Sequence, residues 1–270
     1  MSGDANRPGR LVLVPNTLDL GTGCEVDLRA VLPQAVIERA ARLTHWVAEN
    51  AKTTRALLKR VDALVPLAQP LQQVQITELP RPPKGGAAGG GRPGKGVAGT
   101  PAAPDLRALL APALAGHDLG LLSEAGLPAV ADPGSALVAA AHAAGVPVEP
   151  LAGPSSLLLA LAASGLNGQS FAFVGYLPVD AAARAARIRE LDALSRRLNQ
   201  TQIAIETPYR NDALLAALAQ HLAPGTRLAV ACGLTLPAQR CETRTAQAWR
   251  QAPGAPLGGQ LPAVFCFLAG

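Results

Sequence analysis

The sequence predicts an α/β fold made of two α/β domains. Two observations carry that expectation. Short apolar runs alternate with stretches of helical apolar spacing in both halves of the 270 residues, the pattern of strands feeding helices. Glycine and proline punctuate the ends of those runs, most densely over Gly120–Ser156, GLLSEAGLPAVADPGSALVAAAHAAGVPVEPLAGPSS. This segment reads as a strand over 119–122, a glycine loop over 125–128, and a proline–glycine turn into a helix over 133–144. A strand over 146–151 and a second glycine loop over 153–156 follow. Gly126 has no Cβ and lets backbone approach a ligand closely. Asp132 is placed to cap the helix, with Pro133 at its first position. The two glycine loops, at the carboxyl ends of neighbouring parallel strands, predict the crevice in which open α/β sheets bind ligands.

The remaining elements follow in order. Residues 1–9 have the composition of a disordered tail, and Leu11–Val14 is the first strand. Pro15 to Gly23 is the loop after it, in which Asn16 and Thr17 offer polar contacts. Val26–Ala41 has helical spacing, broken in two by Pro33. His45–Ala48 is a strand, and Glu49 to Arg55 leads into a helix reaching Arg60. Residues 80–104, PRPPKGGAAGGGRPGKGVAGTPAAP, lack periodicity and the apolar residues a core needs. They predict a disordered basic insertion within the first domain. Asp105–Ala115 is a helix interrupted by Pro112, and Leu157–Leu166 is an apolar helix ending near Gly165. In the second half, Ser170–Val174 is a strand and Gly175–Pro178 a turn. Asp180–Leu198 is a helix with five arginines, Gln202–Ile205 a strand, Asn211–Leu222 a helix, and Arg227–Ala231 and Ala263–Leu268 further strands.

Composition narrows the function. The hydrophobic fraction of 49% supports a substantial core, but aromatics are only 3%, so Ala, Leu and Val must fill it. A net charge of +5 favours an anionic partner without specifying one. Cys24, Cys232, Cys241 and Cys266 form no CxxC pair, which predicts free thiols in a reducing, cytoplasmic setting and no metal site. No apolar run is long enough to span a bilayer, so no membrane partner is expected. There is no GxxxxGK[ST] phosphate loop, no GxGxxG after the first strand and no GxSxG elbow.

Five stretches carry a resemblance: Ser123-Glu-Ala-Gly-Leu-Pro128, Ala131-Asp-Pro-Gly134, Ala152-Gly-Pro-Ser155, Phe173-Val-Gly-Tyr-Leu-Pro178 and Glu206-Thr-Pro-Tyr-Arg210. In order and spacing they resemble the tetrapyrrole methylase superfamily of S-adenosylmethionine-dependent methyltransferases. Within it they are most similar to the bacterial small-subunit ribosomal RNA cytidine-2′-O-ribose methyltransferases, whose motifs read SDAGTP, SDPG, PGPS, FxGFLP and ESPHR. The resemblance implies a two-lobed protein with the ligand cleft between its domains, residues 10–152 and 153–270. It implies S-adenosylmethionine as cofactor, held around Pro15, Ser123, Ala125, Gly126, Leu127, Pro128, Asp132, Gly153, Pro154, Ser155, Glu206, Pro208 and Ala231. Methyl transfer to an RNA ribose or related acceptor, a ribosomal RNA or small-subunit partner, and a homodimer are implied with it.

The catalytic candidates are Glu49, Arg55 and Glu124. Glu49, Thr54 and Arg55 match the branch's EDTRxTR, whereas Asn50, Ala51 and Lys52 replace Asp, Thr and Arg. Glu124 stands where the family has Asp; it serves as a base, orients substrate, or holds loop N–H groups. Glu206 and Arg210 either face the cleft or pin their turn. Cys232-Gly233 replaces an Arg-Glu pair, and the branch's His-containing segment is missing where the insertion stands. The alternatives are therefore a porphyrinoid acceptor, or a donor-binding protein without catalysis. Arg184, Arg187, Arg189, Arg196 and Arg197 share one predicted helix, either an RNA-facing row or a solvated face.

Overall fold

A computed structural model describes residues 7–19, 21–80, 106–257 and 260–270. The expected disordered tail lies largely, and the basic insertion almost wholly, outside the described residues. The chain divides into two compact units. The first comprises residues up to 20 and 26–154, the second residues 21–25 and 155–270.

The first unit runs β1 (Leu11–Leu13), α1 (Leu28–Val31), α2 (Gln34–Arg42), β2 (His45–Ala48), α3 (Ala51–Asp62), β3 (Gln75–Glu78), α4 (Leu106–Leu109), α5 (Ala111–Leu114), β4 (Leu119–Leu122), α6 (Ser135–Ala143) and β5 (Val148–Pro150). Its five strands form a wholly parallel sheet in the order β3-β2-β4-β1-β5. Leu28, Ile37, Leu57 and Leu58 from α1–α3 bury one face together with Trp46. Leu110, Ala113, Leu137 and Ala141 bury the other. That two-sided cover explains why β4 is a continuous apolar run, LGLL, buried throughout. Gly120 lies in it because a Cβ there would sit 2.5 Å from Trp46 Cε3.

The strand order corrects one expectation. The strands before the two glycine loops are not neighbours, because β1 runs between β4 and β5. The connection leaving β1 passes over one face to β2, and the one leaving β4 passes over the other to β5. The chain therefore reverses direction at the β1/β4 boundary, and the crevice opens at the carboxyl ends of those two strands. A second correction concerns α6. It begins at Ser135, and no side chain caps it. Gly134 has φ +133°, outside the helical region, so Pro133 cannot be the first helical residue and Asp132 is released from capping. The following strand is shorter than 146–151, spanning Val148–Pro150.

The second unit runs α7 (Ser156–Ser164), β6 (Phe171–Tyr176), α8 (Ala181–Leu198), β7 (Thr201–Glu206), α9 (Asn211–His221), β8 (Arg227–Cys232), β9 (Arg240–Thr245), α10 (Ala246–Gln251) and β10 (Ala263–Leu268). Its mixed sheet has the order β6-β7-β10-β8-β9, with only the β6–β7 pair parallel. Ile188, Leu191, Leu214, Leu218, Trp249, Phe265 and Phe267 make its core. Asp180 caps α8 by accepting from Ala183 N–H at 2.8 Å. Gly165 ends α7 in the left-handed conformation, φ +66°. Gly175 is not in a turn as expected. It lies within β6 at φ +71°, where the register with β7 shifts, so it makes a bulge. Among the described residues no helix is long and apolar enough to cross a membrane, and all four cysteines are free.

Candidate functional site

The crevice of the first unit is held together by Asn16, a residue the sequence marked only as polar. It follows β1 and is 4% exposed. Its N–H donates to Gly126 O at 2.8 Å. Its Nδ2 donates to Ser123 O at 3.1 Å and to Glu124 O at 2.9 Å. Its Oδ1 accepts from Thr17 N–H at 2.9 Å. One buried amide thus satisfies the polar backbone at the ends of both β1 and β4. The signal in the sequence was a single Asn shortly after an apolar strand, too common a pattern to single out.

Behind it, Thr17 and Asp19 are buried, at 2% and 8% exposure. The Thr17 hydroxyl donates to Asp19 Oδ1. Val26 N–H donates to Asp19 Oδ2 at 3.0 Å. Arg60 Nη2 reaches the same oxygen at 3.1 Å and Val26 O at 2.6 Å. Burial pushes the Asp19 carboxyl up, but the Thr17, Val26 and Arg60 donors outweigh it and hold the pKa below the ordinary value.

Glycine has different reasons at two expected ligand positions. Gly126 has φ +66°, and a Cβ there would lie 3.4 Å from Pro154 O and from Leu18 Cδ2. The loop itself requires glycine at this point. At Gly153 a Cβ would lie 2.2 Å from Pro15 Cβ and 2.4 Å from Pro15 Cγ. Pro15, Gly153 and Pro154 therefore pack loop against loop, beside Ser123, Ala125, Leu127 and Pro128.

Three carboxylates gather at this end of the sheet. Glu49 Oε2 accepts from Glu124 N–H at 3.1 Å. Glu124 Oε1 accepts from Asn50 Nδ2 at 2.9 Å and from Thr53 Oγ1 at 3.3 Å. Asn50 also caps α3, its Oδ1 accepting from Lys52 N–H at 2.9 Å. Burial pushes Glu49 above its usual value, and the Glu124 charge adds to that against the opposing N–H bond. Asp132 is pushed up to about 7, by burial first and then by the charges of Glu49 and Glu124. It accepts no hydrogen bond and makes no ion pair among the described residues. The loop carrying it is strained, with Ala129 at φ +66° and Ala131 at φ +65°. No set of three His, Cys, Asp or Glu among the described residues is arranged to hold a metal ion. Ser123 Oγ is an orphan, on a residue 2% exposed with no hydrogen-bond partner.

Arg55 does not join this group. It is two residues beyond Thr53 on α3, about 200° around the helix, and its side chain is exposed. In the second unit, Ser155 precedes α7 without capping it. Glu206 is buried, and Arg210 Nη2 meets its Oε2 at 2.7 Å while Thr207 N–H donates to its Oε1 at 2.8 Å. That pair pins its own turn around Pro208. Ala231 lies inside β8, in the strand expected there, 4% exposed and paired with Cys241 and Val264.

A wholly parallel sheet with its switch point between β1 and β4, and a second unit built on a mixed sheet, define a two-unit α/β protein. The chain belongs to the tetrapyrrole (corrin/porphyrin) methylase family, whose profile matches residues 32–248. It is similar to proteins named ribosomal RNA small subunit methyltransferase I. The one from Mesorhizobium japonicum is 37% identical over 140 residues, covering 52% of this chain and 46% of that protein. The one from Micromonospora olivasterospora is 46% identical over 107 residues, covering 40% and 33%. The chain thus spans less than half the length of these curated relatives. The solved methyltransferase CobJ shares the fold with a TM-score of 0.51 at 18% identity, covering 97% of this chain and all, 100%, of that one.

Proposed function

We propose that this chain is an S-adenosylmethionine-dependent methyltransferase acting on a ribose hydroxyl of small-subunit ribosomal RNA. The observation that carries the reading is the β1/β4 switch point, where Asn16 ties the loop after β1 to the loop after β4. The relatives' printed names supply the substrate class. The residues fit such a donor. Ser123 Oγ is a buried hydroxyl awaiting a partner, and the carboxylates of Glu49, Glu124 and Asp132 match a cationic sulfonium. Pro15, Ala125, Gly126, Leu127, Pro128, Gly153 and Pro154 would hold it mainly through backbone and shape. S-adenosylmethionine supplies an already activated methyl group, so the protein's task is to align the acceptor and exclude water.

Loss of catalysis is the rival reading, since Asn50 replaces an acid of the related branch. The hydrogen bond from Asn50 to Glu124 weighs against it, because the replacement is accommodated within the same cluster. Calorimetry with S-adenosylmethionine, followed by tritiated-methyl transfer to isolated small ribosomal subunits, tests the proposal. Donor binding and RNA labelling are expected; a protein that binds no donor, or labels only a porphyrinoid, would sink it. Of the α8 arginines, Arg187 pairs with Glu190 at 2.7 Å and Arg184 donates to Val179 O at 3.1 Å. Arg189, Arg196 and Arg197 are exposed without a partner among the described residues. Replacing Arg196 and Arg197 by alanine should flatten the salt dependence of RNA binding in the same assay.

The same reading implies a cytoplasmic protein, alongside its proposed acceptor, and a homodimer. Light scattering at micromolar concentration is expected to give twice the 27.5 kDa chain mass; a monomer mass would contradict the dimer.

A further inference from the structure

We infer that Asp132, rather than Glu124 or Glu49, is the residue that takes the proton from the acceptor hydroxyl. The inference rests on the methyl-transfer reading above and names the base within the same site. It starts from which carboxylates are free. Glu124 Oε1 is held by Asn50 Nδ2 at 2.9 Å and Thr53 Oγ1 at 3.3 Å. Glu49 Oε2 is held by Glu124 N–H at 3.1 Å. Each is engaged in fixing the ends of β2 and β4. Asp132 has no hydrogen-bond or ion-pair partner among the described residues, so its oxygens remain for a ligand.

A second observation points to a ligand in the same place. Ser123 Oγ, on a residue 2% exposed, has no partner. Side chains alternate across a strand. Leu119 and Leu121 face the α6 side, with Leu137 and Ala141, while Leu122 faces the Trp46 side. Ser123 continues the α6-side series. Leu121 lies directly under the turn, since a Cβ on Gly134 would be 3.1 Å from Leu121 Cδ2 and 3.4 Å from Ala129 Cβ. One pleat nearer the carboxyl end, Ser123 is therefore aimed beneath the 129–132 loop that carries Asp132. An orphaned hydroxyl and an unpartnered carboxylate on one side of the crevice suit a hydroxyl acceptor, which needs one group to orient it and one to accept its proton.

The charged groups facing Asp132 are Glu49 from the end of β2 and Glu124 from the end of β4, and together with burial they raise it to about 7. A base near the working pH is the most effective one. The step balances as follows. The hydroxyl oxygen forms a bond to the methyl carbon. The methyl–sulfur bond breaks, leaving its electron pair on sulfur. The hydroxyl proton passes to the Asp132 carboxylate and is later released to water. The left-handed Ala129 and Ala131 hold this loop in a costly conformation, the kind of strain that concentrates at functional positions.

The test compares wild type, Asp132→Asn and Asp132→Glu in single-turnover methyl transfer between pH 5.5 and 9, with donor affinity by calorimetry and thermal melts at pH 5 and pH 8. Wild type is expected to speed up as pH rises through about 7. Asp132→Asn is expected to lose roughly 10²–10⁴-fold in rate at saturating donor together with that pH limb, and weaker donor binding alone would leave the limb in place. Asp132→Glu should recover part of the rate and the limb. The melts give a readout independent of turnover. The stability that a neutral Asp132 leaves intact is full only below the ordinary value of 3.8 and is lost as pH rises through about 7, so Asp132→Asn should melt above wild type at pH 8 and by a smaller margin at pH 5. Transfer by Asp132→Asn with an unchanged pH profile, or a variant that melts below wild type at pH 8, overturns the assignment and leaves the methyltransferase reading standing. Absence of donor binding and transfer in wild type overturns both.

Discussion

Gly153→Ala is expected to destabilise the protein by about 3 kcal/mol, the upper part of the range for forcing a methyl into a packed site, and to weaken donor binding at least about tenfold. The reason is local. The added Cβ would lie 2.2 Å from Pro15 Cβ and 2.4 Å from Pro15 Cγ, well inside van der Waals contact. A flexible side chain could swing away; Pro15 cannot, because its ring fixes the backbone angle. It is also buried and followed directly by Asn16, whose three hydrogen bonds to the β4 loop hold the segment in place. Relief must come from moving one loop off the other, and those loops border the crevice. Urea unfolding and calorimetry with S-adenosylmethionine measure both effects. The double variant Gly153→Ala/Pro15→Gly removes the clash and should recover much of the loss, a coupling that a nonspecific effect of alanine would not show. A single variant as stable as wild type would refute the account.

The failures of sequence reading in this protein have physical causes. The apolar strands β1, β2, β4 and β10 were legible because both their faces are buried, which forces a continuous run of large aliphatic and aromatic side chains. β3, QITE, and β9, RCETRT, were not. They are edge strands whose side chains are mostly exposed, so no apolar periodicity marks them. α10 was missed with β9, being only six residues long. Strand adjacency was misjudged for another reason. β4 and β5 are consecutive in sequence and both end in glycine loops, but order across a sheet is set by the crossovers, and β1 takes the place between them. Asp132-Pro133-Gly134 spells a helix start, yet the positive φ of Gly134 delays the helix and leaves Asp132 in the crevice.

The departures from the related branch are also clearer in space than in sequence. Asn50 and Glu124 each read as a weakened motif, an acid lost and an acid lengthened. In the structure they touch, Asn50 Nδ2 donating to Glu124 Oε1 at 2.9 Å. An Asp at 50 would have set a like charge against Glu124. An amide supplies a donor there and still caps α3 through its oxygen. The two replaced positions are thus in direct contact. Glu206 and Arg210 are likewise partners in space, Arg210 Nη2 meeting Glu206 Oε2 at 2.7 Å inside one turn.

Asp19→Ala is expected to cost about 3–5 kcal/mol, the usual loss on removing one partner of a buried ion pair. Asp19 and Arg60 have side-chain exposures of only 6% and 19%. Without the carboxylate, the Thr17 hydroxyl, Val26 N–H and part of the Arg60 guanidinium lose their acceptor in a place with little water to replace it. The bracket from Asp19 to Val26 and on to α3 would open, and the loop after β1 with it. The same pair gives a pH dependence of definite sign. The folded pKa of Asp19 lies below the ordinary 3.8. Its contribution is therefore fully present above that value and is lost as pH falls through the lower, folded pKa. Asp118, held down by Arg10 N–H and Arg39 against the opposing effect of burial, contributes in the same direction. Urea midpoints between pH 2 and pH 7 should fall in acid for wild type and fall less for Asp19→Asn, which keeps the shape but not the charge, with the Asp118 share remaining. Equal acid slopes in the two proteins would remove the Asp19–Arg60 pair from the forces that hold the β1 loop against α3.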